Sequence, residues 1–91
     1  MKQLMTVQQR AREAWGDEAQ IDMAIEEMAE LTVALMHFKR GREHNALEEL
    51  ADVKNMIVQL DDIFSDNAVE IENWRQEKLA RLSGRLDAEE E

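Results

Sequence analysis

A chain of 91 residues is long enough for one domain and lies near the lower limit for a self-sufficient hydrophobic core. Hydrophobic residues make up 44% of it and charged residues 35%, a balance that favours a soluble globular domain over a disordered or membrane protein. The formal net charge of -10 disfavours binding to nucleic acid or anionic membranes, and the absence of cysteine excludes thiolate metal sites.

Four helices are predicted, with breaks at glycines and short polar turns. The first covers about residues 2–15 and ends before Gly16. The second opens with a capping box at residues 17–20 and ends at Gly41. The third opens with a capping box at residues 45–48 and runs to about residue 64, and the fourth covers about residues 68–86 after a polar turn. Residues 1–86 are thus predicted to form one domain, followed by a frayed acidic tail at residues 87–91.

The short connections make consecutive helices antiparallel neighbours, so the expected fold is all-α, an antiparallel four-helix bundle with helices two and three side by side. Helix two is also apolar beyond one face. Its further hydrophobic residues are Ile25, Ala29, Val33 and Met36. This wide apolar coverage predicts that helix two is buried on two sides.

Helices two and three each place carboxylates where amphipathic helices place apolar side chains. At about 100° per residue, Glu27 falls inside the apolar arc of helix two and Glu30 at its edge. The same projection puts Glu49 inside the arc of helix three with Asp52 beside it. The neighbouring Glu26 and Glu48 point away from these arcs.

A carboxylate in an apolar seam is unfavourable unless it is protonated, paired with a base or bound to a cation. Basic residues are scarce near both pairs, since helix two has none before Lys39. The spacing of i and i+3 puts the two carboxylates of a pair on one face. Two such pairs across one interface suit a hard cation such as Mg²⁺ or Mn²⁺, although solvated acidic faces are the common alternative on charge-rich helices.

Residues 25–31, IEEMAEL, and residues 47–53, LEELADV, resemble the paired EExxE and ExxD motifs of the MazG-like and dimeric dUTPase-like all-α pyrophosphohydrolases. The turn at residues 38–42 and the lead-in at residues 15–21 are similar to a short MazG-like subgroup of bacteria and phages. The resemblance covers roughly residues 15–86. It implies hydrolysis of a (deoxy)nucleoside triphosphate to the monophosphate and pyrophosphate.

The resemblance also implies roles for individual residues. Carboxylates that match Glu27, Glu30, Glu49 and Asp52 hold magnesium in the family, and Mn²⁺ can substitute. Glu26 is a candidate base or an orienter of these ligands. All five acids are therefore predicted to take part in catalysis.

Substrate contacts are expected from basic and aromatic residues. The 78–81 segment resembles the phosphate-binding motif of the family's last helix, so Lys78 and Arg81 are candidates, although the usual upstream asparagine is not matched. The alternative for both is a solvated helix face. Lys39 in the turn at residues 38–42 is a further candidate, and Trp15 either stacks on a base or packs against protein. His37 and His44 are interpreted as surface or loop residues.

Such short chains assemble as dimers or as tetramers with the active site at or near a subunit interface, so the resemblance implies a homo-oligomer, with a tetramer favoured. No apolar run approaches a membrane span and no secretory segment opens the chain, so we expect a cytoplasmic protein without nucleic-acid or membrane partners. The main rival hypothesis is a non-enzymatic acidic helical interaction protein, or one that only binds nucleotide or metal. The base and sugar of the substrate cannot be predicted from these residues.

Overall fold

The computed structural model describes residues 4–90, and all regular structure in that range is helical. The elements in chain order are α1 at Val7–Trp15, α2 at Asp17–Lys39, α3 at Ala46–Ile63, a 3-10 turn at Ser65–Asn67, and α4 at Ala68–Glu90. The all-α prediction is therefore confirmed. No helix of the described part is long and apolar enough to cross a membrane.

The outer helix ends differ from the predicted ones. The α-helix α1 begins at Val7 because Thr6 and Gln9 form a capping box that the sequence analysis missed. The predicted start near Lys2 lies outside the described residues. Helix α4 continues beyond the predicted end near Leu86, as far as Glu90. Residues 87–90 are thus helical, and Glu91 lies outside the description.

Helix α2 begins without the predicted capping box. Gly16 is its capping residue, with φ +87°, a backbone conformation that residues with a Cβ rarely adopt. The Asp17 carboxylate instead accepts hydrogen bonds from the Arg12 guanidinium, which also donates to the backbone oxygen and carboxylate of Asp62. Arg12 therefore ties the end of α1 and the start of α2 to the end of α3.

Helix α3 also starts without its predicted capping box. Asn45 occupies the capping position, but its side chain makes no capping hydrogen bond to the backbone. The N–H of Ala46 instead donates to Nδ1 of His44 at 3.1 Å. The side chain of Asn45 is thereby left free for a contact with another side chain.

The main packing contact joins α2 and α3, and α1 rests against both. The buried residues of this seam are Gln20, Ala24 and Ala34 from α2 and Ala46, Glu49 and Gln59 from α3. All the buried hydrophobic side chains in residues 4–90 are alanines. The two helices approach each other through small residues, and polar groups are enclosed between them.

Helix α4 makes at most weak contacts with the other helices. It packs on the 3-10 turn before it, and none of its residues is buried. The radius of gyration is 17.1 Å, whereas a compact chain of this length has about 12 Å. A four-helix bundle is therefore not confirmed within one chain.

Candidate metal centre

Three carboxylates from the two packed helices meet in the α2–α3 seam. Glu27 and Glu30 lie one turn apart on α2, and Glu49 lies in the first turn of α3. Each offers a carboxylate oxygen, and these oxygens lie within 4.8 Å of one another. We call these three residues the carboxylate trio.

The trio is partly enclosed, and two of its members have unpaired oxygens. Glu49 is only 9% exposed, and Glu27 is half-buried. One oxygen of each, Oε2, is buried and has no hydrogen-bond partner within the described part of the chain. An unpaired buried oxygen is unfavourable unless a proton or a cation satisfies it.

The surroundings raise the pKa of both enclosed glutamates above the ordinary range. For Glu27 the largest cause is burial, followed by the negative charge of Glu30. Burial is also the largest cause for Glu49, again followed by Glu30, while a hydrogen bond from Asn45 acts in the opposite direction. Asp52 raises the pKa of both. None of the ion pairs seen in residues 4–90 supplies a lysine or arginine to the trio.

The two other predicted acids lie beside the trio. Asp52 is half-buried on α3 and acts electrostatically on Glu27 and Glu49, but its carboxylate falls outside the 4.8 Å group. Glu26 is exposed and lines the neighbouring cleft. The structure therefore brings together three of the four predicted ligands and keeps the fourth nearby.

A cleft of about 420 Å³ opens beside the trio. Its walls are Glu26, Ala29, Glu30, Val33, Ala34, His37, Asn45 and Glu49. Acidic groups thus border a floor of small apolar side chains. This shape offers space for an uncharged portion of a ligand whose charged portion lies at the carboxylates.

The predicted substrate-binding residues are not gathered at the trio. Lys39 is the last residue of α2, about 14 Å along the helix axis from Glu30. Trp15 is exposed at the end of α1 and borders a separate groove on that helix.

The two basic candidates of α4 are exposed with the rest of that helix. The ammonium of Lys78 lies 6.0 Å from the centre of the Trp74 ring, and Arg81 forms an ion pair with Glu77 at 2.8 Å. Within this chain, neither is held against the carboxylates.

Two residues that the sequence analysis did not select belong to this region. His37 was interpreted as a surface or loop residue, but it is half-buried at the cleft. Asn45 was interpreted as the helix cap, but its Nδ2 donates to Oε1 of Glu49 at 2.9 Å. The spacing of four residues between Asn45 and Glu49 was the available sequence signal.

The donor set fits a hard divalent cation. Carboxylate oxygens are the ligands that Mg²⁺ and Mn²⁺ prefer, and the trio offers one such oxygen from each of three residues within 4.8 Å. A cation is also one of the partners that an unpaired buried carboxylate oxygen can take. The chain matches no protein-family model, no curated protein and no solved structure.

Proposed function

We propose that this chain is a Mg²⁺-dependent (deoxy)nucleoside triphosphate pyrophosphohydrolase of the MazG-like type. The observation that carries the proposal is the pair of buried, unpaired carboxylate oxygens on Glu27 and Glu49, one from each facing helix. The EExxE and ExxD motifs supply these glutamates, so the family resemblance and the geometry support the same site.

The chemistry is hydrolysis of the bond between the α- and β-phosphates. Water adds to the α-phosphorus, pyrophosphate leaves, and the monophosphate remains. Bound magnesium supplies neutralisation of the triphosphate charge and activation of the attacking water. The carboxylate trio holds the ion with Asp52 beside it, and we assign Glu26 the acceptance of a proton.

A cation is needed at this site for a second electrostatic reason. The chain carries a net charge of -10, and the trio concentrates negative charge at the cleft. A free triphosphate would be repelled there. A divalent ion lowers the negative charge of the cleft, and at close range its own charge dominates the interaction with the phosphates.

We propose that the protein works as a homo-oligomer, with a tetramer favoured over a dimer. Five large apolar residues of α4 form an arc of about 140° around the helix, whereas Val69 lies outside it. They are Ile71, Trp74, Leu79, Leu82 and Leu86, and each is at least 38% exposed. On α2, Ile25, Val33 and Met36 are exposed as well. A core of buried alanines does not offset the entropic cost of ordering the chain. We therefore propose that a second copy packs against the exposed apolar residues of α4 and α2.

Assembly also offers a route for the basic residues to reach the substrate. Lys78 lies within the apolar arc of α4, between Trp74 and Leu82 in the helical projection. When that arc packs on another copy, Lys78 is carried into the interface. We infer that Lys78 and Arg81 act on the triphosphate bound by a neighbouring subunit.

The test is pyrophosphate release from a panel of canonical and modified NTPs and dNTPs with Mg²⁺ or Mn²⁺. The parent protein is compared with Glu49→Gln and with the matched control Glu48→Gln, whose side chain is exposed at the preceding position of α3. Metal-dependent turnover that Glu49→Gln abolishes and Glu48→Gln retains supports the proposal. No turnover across the panel, with Glu49→Gln at least as stable as the parent, contradicts it.

The rival function is a non-enzymatic interaction protein that binds a partner, a nucleotide or a metal. The exposed apolar arc of α4 is the observation that favours it. Thermal melting with Mg²⁺ and a non-hydrolysable triphosphate separates binding from pure scaffolding, because a specific ligand raises the melting temperature. A shift without turnover indicates nucleotide binding alone, and no shift indicates an interaction protein.

A further inference from the structure

Asn45 is in the capping position of α3, yet its side chain contacts a carboxylate. An asparagine at this position usually accepts a hydrogen bond from a backbone N–H of the first turn. Here the backbone oxygen of Asn45 accepts from the N–H of Glu49 at 3.0 Å, and its Nδ2 donates to Oε1 of the same residue at 2.9 Å. One residue therefore holds both the backbone and the side chain of Glu49.

His44 makes this arrangement compatible with a stable start of the helix. Its Nδ1 accepts from the N–H of Ala46, one of the first-turn groups that lack a partner within the helix. The imidazole ring is held in place by an edge-on contact with Phe38, with ring centres 5.1 Å apart and planes at 83°. Because His44 supplies this hydrogen bond, Asn45 is free to act on Glu49.

The two carboxylate oxygens of Glu49 therefore have different surroundings. Oε1 is occupied by the Asn45 amide, whereas Oε2 is buried without a partner. The carboxylate is nine-tenths buried and shares the trio with Glu27 and Glu30. The two oxygens of a carboxylate are equivalent, so the amide fixes the plane of the group, in which one oxygen contacts Asn45 and the other stays buried in the seam.

We propose that Asn45 is a positioning residue of the metal centre, whose amide orients Glu49 so that Oε2 faces the bound cation. The inference rests on the proposed magnesium site. Outer hydrogen-bond partners of metal ligands typically contribute about 10- to 100-fold in metal affinity. We expect loss of the Asn45 amide to weaken metal binding within that range.

The experiment measures Mn²⁺ affinity of the full chain by electron paramagnetic resonance of the free ion. Asn45→Ser removes the amide but keeps a residue that can cap a helix, so the start of α3 is preserved. Asn55→Ser, an exposed change of the same type on α3, is the matched control. Thermal melting without metal shows whether each variant is folded.

We expect Asn45→Ser to weaken Mn²⁺ binding by about tenfold or more and Asn55→Ser to leave it unchanged. A double-mutant cycle with Glu49→Gln then separates positioning from general destabilisation. If Asn45 acts through Glu49, adding Asn45→Ser to Glu49→Gln produces no further loss.

Two results overturn the inference while the proposed metal site stands. The first is parent-like Mn²⁺ affinity in a folded Asn45→Ser protein. The second is a loss from Asn45→Ser that is equally large with and without Glu49→Gln. A parent protein that binds no Mn²⁺ overturns the metal site and this inference together.

Discussion

The α2–α3 seam and the apolar arc of α4 depart from ordinary helix packing in opposite ways. The seam encloses charged and amide side chains among alanines, while the arc leaves Trp74 50% exposed and Leu82 47% exposed. Buried carboxylates without a base require a proton or a cation. A contiguous exposed apolar helix face typically marks a contact surface. The comparison supports two separate proposals: an ion would remove the unfavourable feature of the seam, and a second copy would remove that of the arc.

The largest expected effect comes from removing a ligand from the seam. Glu27→Gln should lower kcat/KM for the best triphosphate by at least about a hundredfold, because a direct ligand matters at least as much as the outer partners of metal ligands. Asp22→Asn, an exposed charge removal on the same helix, should retain the parent activity. Steady-state pyrophosphate release at fixed Mg²⁺ measures both. Equal activity in the two variants would remove Glu27 from the metal centre.

The next effect concerns the arc. Leu82→Glu places a charge in the centre of the apolar face of α4 and should raise the dissociation constant of the oligomer by about thirtyfold or more. Ala80→Glu introduces the same charge about 160° around the helix, on the polar side, and should leave assembly intact. Sedimentation velocity over a dilution series gives the two dissociation constants. Dissociation by Ala80→Glu alone would place the contact on the other side of α4.

The burial contrast within each motif was predictable from the sequence because helix periodicity is local. The projection separated Glu27 from Glu26 and Glu49 from Glu48, and the structure has the first of each pair more buried than the second. The close approach of α2 and α3 likewise followed from a short connection. The role of these acids as metal ligands stays a prediction.

Other features were beyond sequence reasoning because they depend on alternatives that look alike locally. Asn45 satisfies a capping pattern equally well whether it caps the helix or binds Glu49, and His44 decides between the two. The Arg12 contact with Asp62 joins residues 50 positions apart. The apolar face of α4 followed from periodicity, but its position did not, because none of its residues is buried against the rest of the chain.

A smaller effect is the pH dependence of stability in the metal-free protein. The raised pKa values of Glu27 and Glu49, caused first by burial and then by Glu30, mean that the folded state binds protons more tightly there than the unfolded state. Their stabilising protonation is complete below the ordinary glutamate pKa and is lost as the pH rises through the raised values. The melting temperature should therefore fall from mildly acidic pH toward neutrality.

Added Mg²⁺ should cancel this decline, since a bound cation favours the charged carboxylates. The ion pair of Arg12 and Asp17 affects stability in a lower pH range. The hydrogen bond from Arg12 lowers the pKa of Asp17, so the stabilisation by this pair is lost as the pH falls through the lowered pKa. The double variant Glu27→Gln/Glu49→Gln should show a flatter profile in calorimetric melting. A decline of the parent's size in that variant would assign the titration to other groups.

The smallest expected effect is on the free energy of unfolding, when alanine replaces the glycine at the start of α2 or the glycine inside α4. Gly16 has φ +87°, so Gly16→Ala should destabilise the protein by about 1–2 kcal/mol although a Cβ there meets no atom within 4 Å. Gly84 also has open space around it but lies inside α4, so Gly84→Ala should stabilise that helix by about 0.5–1 kcal/mol. Urea denaturation of both variants measures the change in the free energy of unfolding and its sign. A Cβ meets no atom at either position, so opposite changes in the free energy of unfolding reflect the backbone conformations of the two glycines. If both variants are destabilised, the side of α4 that carries Gly84 lies against a second copy.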